Sequence, residues 1–401
     1  MLPILSFVKL RDMKMDDKVT VLVHRGSHQI GGCCTTISYK SSCIAIDLGS
    51  PLEEERTLRI PGLTEGKRQY DALFLTHYHE DHIGEADKVL SEVPIYTGAC
   101  AKEIILAYQN HMGKHSPYHF SEQKIHVIEP ESPLVVGDFT VTAIASDHSA
   151  VGTLMYLIEV GGKRILHTGD FRLHGPRREV LMGKMRQLGR IDLLITEGTT
   201  LSRKSDVSWD EGKVREELVK MYRKFKYCFV LASTTNLDRI QAISEPVEEG
   251  KYFLVNSFQY EIMKIAEKYK LCTFQKPLQY GENLDKKIER RGFTMVVGAN
   301  ERSRVLMEYY FQKYPQDTCL IYSMWSGYKE KENIKQLCDM AGDRLFHIHS
   351  SGHVVLQDLN QFVEVINPTK MMVIHTDCAD KSSISFSERL IEARDDELIV
   401  L

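Results

Sequence analysis

The sequence predicts an α/β protein in which a sandwich of two sheets carries a Rossmann-like insertion, and three observations predict it. Residues 18 to 50 alternate β-branched and polar positions between glycine turns, the texture of antiparallel strands. Residues 71 to 200 alternate strand runs with helix patterns. From about residue 205 short apolar runs and amphipathic stretches take turns, and that alternation of strand and helix implies a parallel sheet.

Taken in order, Ala72-Leu73-Phe74-Leu75 reads as a strand, and helical periodicity follows at Ala101 to Tyr108 before a loop rich in His, Ser and Pro. Strands are expected at Phe139 to Ile144, Thr153 to Val160 and Arg164 to His167, with Gly161-Gly162 turning a hairpin between the last two. Trp209 to Phe225 is a charged amphipathic helix, Cys228 to Ala232 a buried strand and Leu237 to Glu248 a second helix. The repeat continues with strands at Tyr252 to Val255, Thr294 to Val297 and Thr318 to Tyr322. Helices are expected at Phe258 to Tyr269, Arg302 to Lys313 and Lys329 to Ala341. The expected boundaries are 1–204 for the first part of the sandwich, 205–345 for the insertion and 346–401 for the return to the sandwich.

A chain of 401 residues with 43% hydrophobic content can bury two or three sizeable cores. No run approaches the roughly 20 apolar residues of a membrane span. The opening Met-Leu-Pro-Ile-Leu-Ser-Phe-Val is too short and too weakly basic for a secretory signal. A cytoplasmic protein with no membrane partner is expected. Nine cysteines without a CxxC pair fit reduced buried thiols, with Cys33 and Cys34 on alternate faces of a strand and no zinc assigned to any of them. A net charge of −4 argues against a basic coat, so a polyanion must be drawn by a local patch or by metals. Candidate patches are Arg172 with Arg177-Arg178, Arg203-Lys204, Lys286-Lys287 with Arg290-Arg291, and Arg302 with Arg304, each of which also fits an ordinary solvated face.

The chemistry concentrates at residues 76 to 82, Thr-His-Tyr-His-Glu-Asp-His, directly after a strand-like run. Imidazole and carboxylate are the ligands that divalent zinc or manganese accepts, and alternation puts His77 and His79 on one side while Asp81 and His82 turn toward a second ion. Further strand-then-ligand segments follow: Ser146-Asp147-His148-Ser149, His167-Thr168-Gly169-Asp170 and Ile374-His375-Thr376-Asp377. His111, His115, His119 and His126 lack that context and read as solvated positions. His167 is left out of the site because side chains alternate along a strand.

The order of these motifs resembles the metallo-β-lactamase superfamily and, within it, the β-CASP nucleases that include ribonuclease J. Asp47 in Ile-Asp-Leu-Gly is similar to the first motif, His77 to His82 to the second, His148 to the third and Asp170 to the fourth. Glu197, His353 and His375 match the three β-CASP motifs in order. The resemblance implies an αββα sandwich with a β-CASP cap inserted before the last strands, facing the site across a cleft. It implies two zinc ions, with manganese as the alternative: His77, His79 and His148 on one, Asp81, His82 and His375 on the other, and Asp170 bridging. Asp47 would orient one imidazole through its second nitrogen. A metal-bridging hydroxide would attack a backbone phosphate, with Asp81, Asp170, Glu197 and His353 in the catalytic set and His353 stabilising charge or protonating the leaving oxygen.

For the substrate, Ser233, Thr235, Asn236 and Arg239 resemble the family's Ser-Asn-x-x-Arg segment with Thr235 in the serine place. The residues alone equally allow an ordinary helix cap there. Ser350, Ser351 and Gly352 form a second phosphate-binding candidate, and Trp325 with Tyr328 either stack on bases or belong to a core. Histidine at position 375 favours the RNA-acting branch, so single-stranded RNA is the expected partner. Thr376-Asp377 stands where Gly-Glu is usual, residues 322 to 328 depart from the ribonuclease J substrate loop, and that enzyme's carboxy-terminal domain is not expected. A DNA nuclease, a hydrolase of small phosphodiesters or other esters, and a non-catalytic nucleic-acid-binding homologue are the alternatives, and oligomeric state is left open.

Overall fold

A computed structural model describes residues 17–52, 57–203, 209–248, 250–281, 284 and 286–401. The opening segment at residues 1–16 and Lys204 of the Arg203-Lys204 pair lie outside the described residues.

Three sheets make the architecture. The first has seven strands: β1 (Thr20–Arg25), β2 (Cys34–Tyr39), β3 (Ser42–Ile46), β4 (Ala72–Phe74), β5 (Ile95–Thr97), β6 (Ile125–Val127) and, at the far edge beside β1, β19 (Leu398–Val400). The second has six: β7 (Pro133–Val136), β8 (Phe139–Ala145), β9 (Leu154–Val160), β10 (Lys163–His167), β11 (Leu193–Glu197) and β18 (Lys370–Ile374). Alternate residues of both sheets, among them Val21, Ile44 and Phe74 from one and Val141, Tyr156 and Ile195 from the other, meet in one apolar layer. A strand side chain alternates faces, so this shared layer is the interior of a sandwich. Helices α2 (Ala99–Met112) on the first sheet and α3 (Arg178–Met185) and α10 (Leu356–Ile366) on the second cover the outer faces. The hairpin between β9 and β10 turns at Gly161 and Gly162 with φ of 54° and 72°, a backbone region open to glycine.

The third sheet is parallel throughout, in the order β14 (Leu278–Gln279), β13 (Tyr252–Val255), β15 (Phe293–Val297), β12 (Tyr227–Leu231), β16 (Thr318–Tyr322), β17 (Leu345–His347). The chain enters it through α4 (Glu211–Lys224), and its crossovers are α5 (Leu237–Ser244), α6 (Ser257–Lys268), α7 (Lys286–Arg291), α8 (Glu301–Lys313) and α9 (Glu332–Ala341). All of it lies in the chain between β11 and β18, which pair directly, so the unit is an insertion between neighbouring strands.

Two expectations are corrected, and one pair of elements has no counterpart among them. The strand–helix pair Leu278–Gln279 and Lys286–Arg291 was not expected, because a two-residue strand and a six-residue charged helix carry too little periodicity to read. The helix expected from Lys329 begins at Glu332, after a 3₁₀ segment at Ser326–Glu330. Leu345–His347 pairs in parallel with β16, so the boundary expected between residues 345 and 346 cuts a strand of the insertion.

Candidate metal centre

Nearly every candidate ligand stands just beyond the carboxyl end of a strand. Asp47 follows β3, His77 and His79 follow β4, His148 follows β8, Asp170 follows β10 and His375 follows β18. A short helix α1 (Glu80–Ile83) then carries Asp81 and His82 back toward the first sheet. Asp47 and His375 have φ of 56° and 52°, a left-handed conformation that side chains other than glycine rarely adopt, so both sharp exits from the strand are held by their surroundings.

The imidazoles are oriented from behind. Thr76 Oγ1 gives its proton to Asp47 at 2.9 Å and therefore accepts from His77 Nδ1 at 3.0 Å. His82 Nδ1 donates to Asp47 at 2.8 Å, His148 Nδ1 to the Gly352 carbonyl at 2.6 Å, and His375 Nδ1 to Thr199 Oγ1 at 2.6 Å. Four rings thus have one nitrogen occupied and turn Nε2 inward. There His77 Nε2 and His148 Nε2 lie 3.1 and 3.2 Å from His79 Nδ1, and His375 Nε2 lies 3.2 Å from Asp81.

One carboxylate sits at the middle. Asp170 lies 3.1 Å from His82, 3.8 Å from His77 and from His148, 3.6 Å from His353 and 3.9 Å from His375. It is buried, and its Oδ1 finds no hydrogen-bond donor among the described residues. Burial pushes His77 and His148 well down and His79 to about 4, so these rings are neutral at pH 7, and the three nitrogens share at most the one N–H that His79 can turn toward its neighbours. Neutral imidazoles converging beside an unpartnered buried carboxylate are a donor set suited to divalent cations and to little else. His77, His79 and His148 form one group able to hold an ion, while His77, His82 and Asp170 form another.

His353 stands at the mouth with 21% of its side chain exposed and its Nδ1 3.0 Å from Glu197. Burial alone would lower its pKa, but Glu197 and Asp170 outweigh it and hold the ring above the usual histidine range. Glu197 is fixed in turn by the Phe171 amide at 2.7 Å.

The substrate candidates are partly corrected. Arg239 is fully buried, its guanidinium held by Glu211 at 2.9 Å through two nitrogens and by Ser323 and the Ser350 carbonyl, so it clamps the insertion and is closed to a phosphate. Asn236 caps α5 by accepting from the Arg239 amide at 3.1 Å. Ser233 is exposed, with its hydroxyl 3.0 Å from that of Thr235. In the other loop the carbonyls of Ser350, Ser351 and Gly352 are engaged by Arg239, His174 and His148, and Ser351 Oγ accepts from the His353 amide. That loop aims histidines.

Arg172 is buried among Asp147, Glu211 and Asp238, which removes it and its neighbour Arg177 as a surface patch. Trp325 is 38% exposed under the Arg203 guanidinium, with Tyr328 edge-on at 5.4 Å, so it is not a core residue. His111, His115, His119 and His126 are exposed.

Sequence reasoning missed Thr76 and Thr199, the acceptors behind His77 and His375, although each sits inside a motif. It missed Tyr78, whose hydroxyl donates to the Thr235 carbonyl at 2.9 Å and ties the ligand loop to the insertion. His167, left out of the site by alternation, lines the small cavity behind Asp170 together with Cys33 and His82 but belongs to none of the groups able to hold an ion.

Comparison with known proteins agrees with this geometry. The family model described as the metallo-beta-lactamase superfamily matches residues 33–199, so this part of the chain is similar to that superfamily. The chain is also similar to ribonuclease J. It is 24% identical to ribonuclease J of Helicobacter pylori (strain ATCC 700392 / 26695), over 61% of this chain and 37% of that protein. With ribonuclease J 1 of Streptococcus pyogenes serotype M3 it shares 23% identity over 90% of this chain and 69% of the relative. It thus spans little more than a third of the Helicobacter pylori protein. In fold, a protein of unknown function from Enterococcus faecalis V583 covers 96% of this chain with a TM-score of 0.77 at 19% identity.

Proposed function

We propose that the chain is a metal-dependent phosphodiesterase that cleaves single-stranded RNA in the cytoplasm, with two zinc ions, or manganese in their place, at the centre. The observation that carries this is Asp170 within 4 Å of five imidazoles, with one oxygen left unpartnered. His77, His79 and His148 would hold one cation, Asp81, His82 and His375 the other, and Asp170 both. Divalent cations, when bound, supply Lewis acidity and lower the pKa of water toward about 7.

The chain's own side chains do the rest. Glu197 holds the Nδ1 proton of His353, leaving Nε2 to hand a proton to the leaving oxygen. Ser233 and Thr235 offer hydroxyls to a phosphate from the insertion side of the cleft. The relatives named ribonuclease J support RNA as the substrate. All nine cysteines are free, which fits a reducing compartment. Among the described residues no helix is long and apolar enough to cross a membrane.

The test is to incubate metal-loaded protein with end-labelled single-stranded RNA, the matching DNA and bis-p-nitrophenyl phosphate, beside His79→Ala and His353→Ala. Both variants are expected to lose RNA cleavage by about a hundredfold or more, and only His79→Ala to lose metal by elemental analysis. Cleavage of the small ester alone, or of DNA alone, sinks the ribonuclease reading. RNA binding without any cleavage makes the chain a non-catalytic homologue.

A further inference from the structure

A thiol lies inside the proposed centre. Cys33 Sγ, a ring nitrogen of His82 and a ring nitrogen of His375 all lie within 4.8 Å of one another, and Cys33 is buried. Its backbone is fastened to the ligand loop, the Cys33 amide donating to the Asp81 carbonyl at 3.1 Å while Gly49 donates to the Cys33 carbonyl at 3.1 Å. The same turn holds the other ligand strand, because the His375 amide donates to the Gly26 carbonyl at 2.6 Å. Space on the far side of the sulfur is restricted: a Cβ on Gly26 would come within 3.4 Å of it, and Gly26 has φ of 108°, where a side chain is disfavoured.

A second, independent observation points the same way. Asp170, buried and with Oδ1 unpartnered, lines the same small cavity as Cys33, His82 and His375. With His167, Asp47 and Glu197 also lining it, the cavity gathers imidazoles, carboxylates and one sulfur as a mixed donor set, and thiolate is the donor that selects zinc or cobalt over manganese.

We propose that Cys33 is a ligand of the second cation, beside His82 and His375, and that it makes this position softer than the one held by His77, His79 and His148. The sulfur–metal bond forms as the S–H bond breaks, the proton passes to water, and no oxidation state changes. This inference rests on the two-cation reading of the site.

The full chain loaded with cobalt(II) tests it by absorbance and elemental analysis together. Wild type is expected to hold two cobalt ions and to show a thiolate-to-cobalt charge-transfer band in the near ultraviolet. Cys33→Ser and Cys33→Ala should lose the band, while Cys34→Ala and Cys378→Ser keep it. In competition, Cys33→Ser should lose about tenfold or more of the zinc preference over manganese at one site. Two bound cobalt ions in wild type without the band, or a band that survives in Cys33→Ser, overturns the inference and leaves the metal reading standing. Absence of bound cobalt in wild type takes down both. Because the wild-type spectrum alone can refute the proposal, a poorly folding variant does not shield it.

Discussion

At Asp47 one side chain does three things from a buried position. Its two oxygens accept from the Thr76 amide, the Thr76 hydroxyl and His82 Nδ1 at 2.8 to 2.9 Å, so it sets the His82 tautomer directly and that of His77 through the threonine. Asp47→Asn keeps the shape but replaces one acceptor with a donor. The variant is expected to bind metal about ten- to a hundredfold more weakly with its far-ultraviolet circular dichroism unchanged; wild-type affinity in a chelator competition would refute the role. Residues of this kind were legible only through motif order. The candidate ligands could be read from their chemistry, since three imidazoles and a carboxylate in six positions have few other uses. Thr76, Thr199 and the Gly352 carbonyl could not, because a hydroxyl or a backbone oxygen becomes informative only when its partner's position is known. His167 is the last residue of its strand and belongs to none of the groups able to hold an ion, in keeping with its exclusion by alternation.

At the level of elements, the strand-then-ligand pattern was legible because parallel and mixed sheets gather their loops at the carboxyl ends of strands. The strands of the insertion were legible from their short apolar runs, as with Tyr252–Val255 and Thr318–Tyr322, whose bounds match the expected ones. What joins the ligand-bearing elements was not. The turn after β3 packs against the start of α1 so closely that a Cβ on Gly49 would fall 1.7 Å from the Asp81 carbonyl oxygen and 2.6 Å from the His82 amide. Both are backbone atoms that cannot rotate away. Gly49→Ala must therefore push α1 outward and carry Asp81 and His82 with it. The expected result is a lower metal content than wild type in elemental analysis together with a lower midpoint in urea, and a variant that keeps the wild-type metal content and midpoint rules out this packing.

Across the whole molecule, sandwich and insertion are joined by a buried ion network that the sequence disguised as surface basic clusters. Arg172 from the sandwich meets Asp147 at 2.9 Å, Asp238 of α5 at 2.5 Å and Glu211 of α4 at 3.4 Å, and Glu211 in turn takes both Arg239 contacts. A run of arginines looks the same whether it faces water or three carboxylates, so only tertiary structure separates the two. Burial alone would raise the Glu211 pKa, but Arg239 and then Arg172 outweigh it and bring it down to about 2. A carboxyl whose folded pKa is depressed adds stability that is present above its unfolded pKa of about 4.3 and is lost as pH falls toward the folded value. Glu211→Gln removes this charge and leaves two buried guanidiniums short of an acceptor, at a cost of about 3–5 kcal/mol near pH 7. The gap between the urea midpoints of wild type and variant should therefore be wide at pH 7, begin to narrow near pH 4.5 and be small near pH 2, because protonation then does to the wild type what the substitution does to the variant. Matched midpoints at pH 7, or a gap that stays constant down to pH 2.5, would show that the network does not hold the insertion over the metal centre.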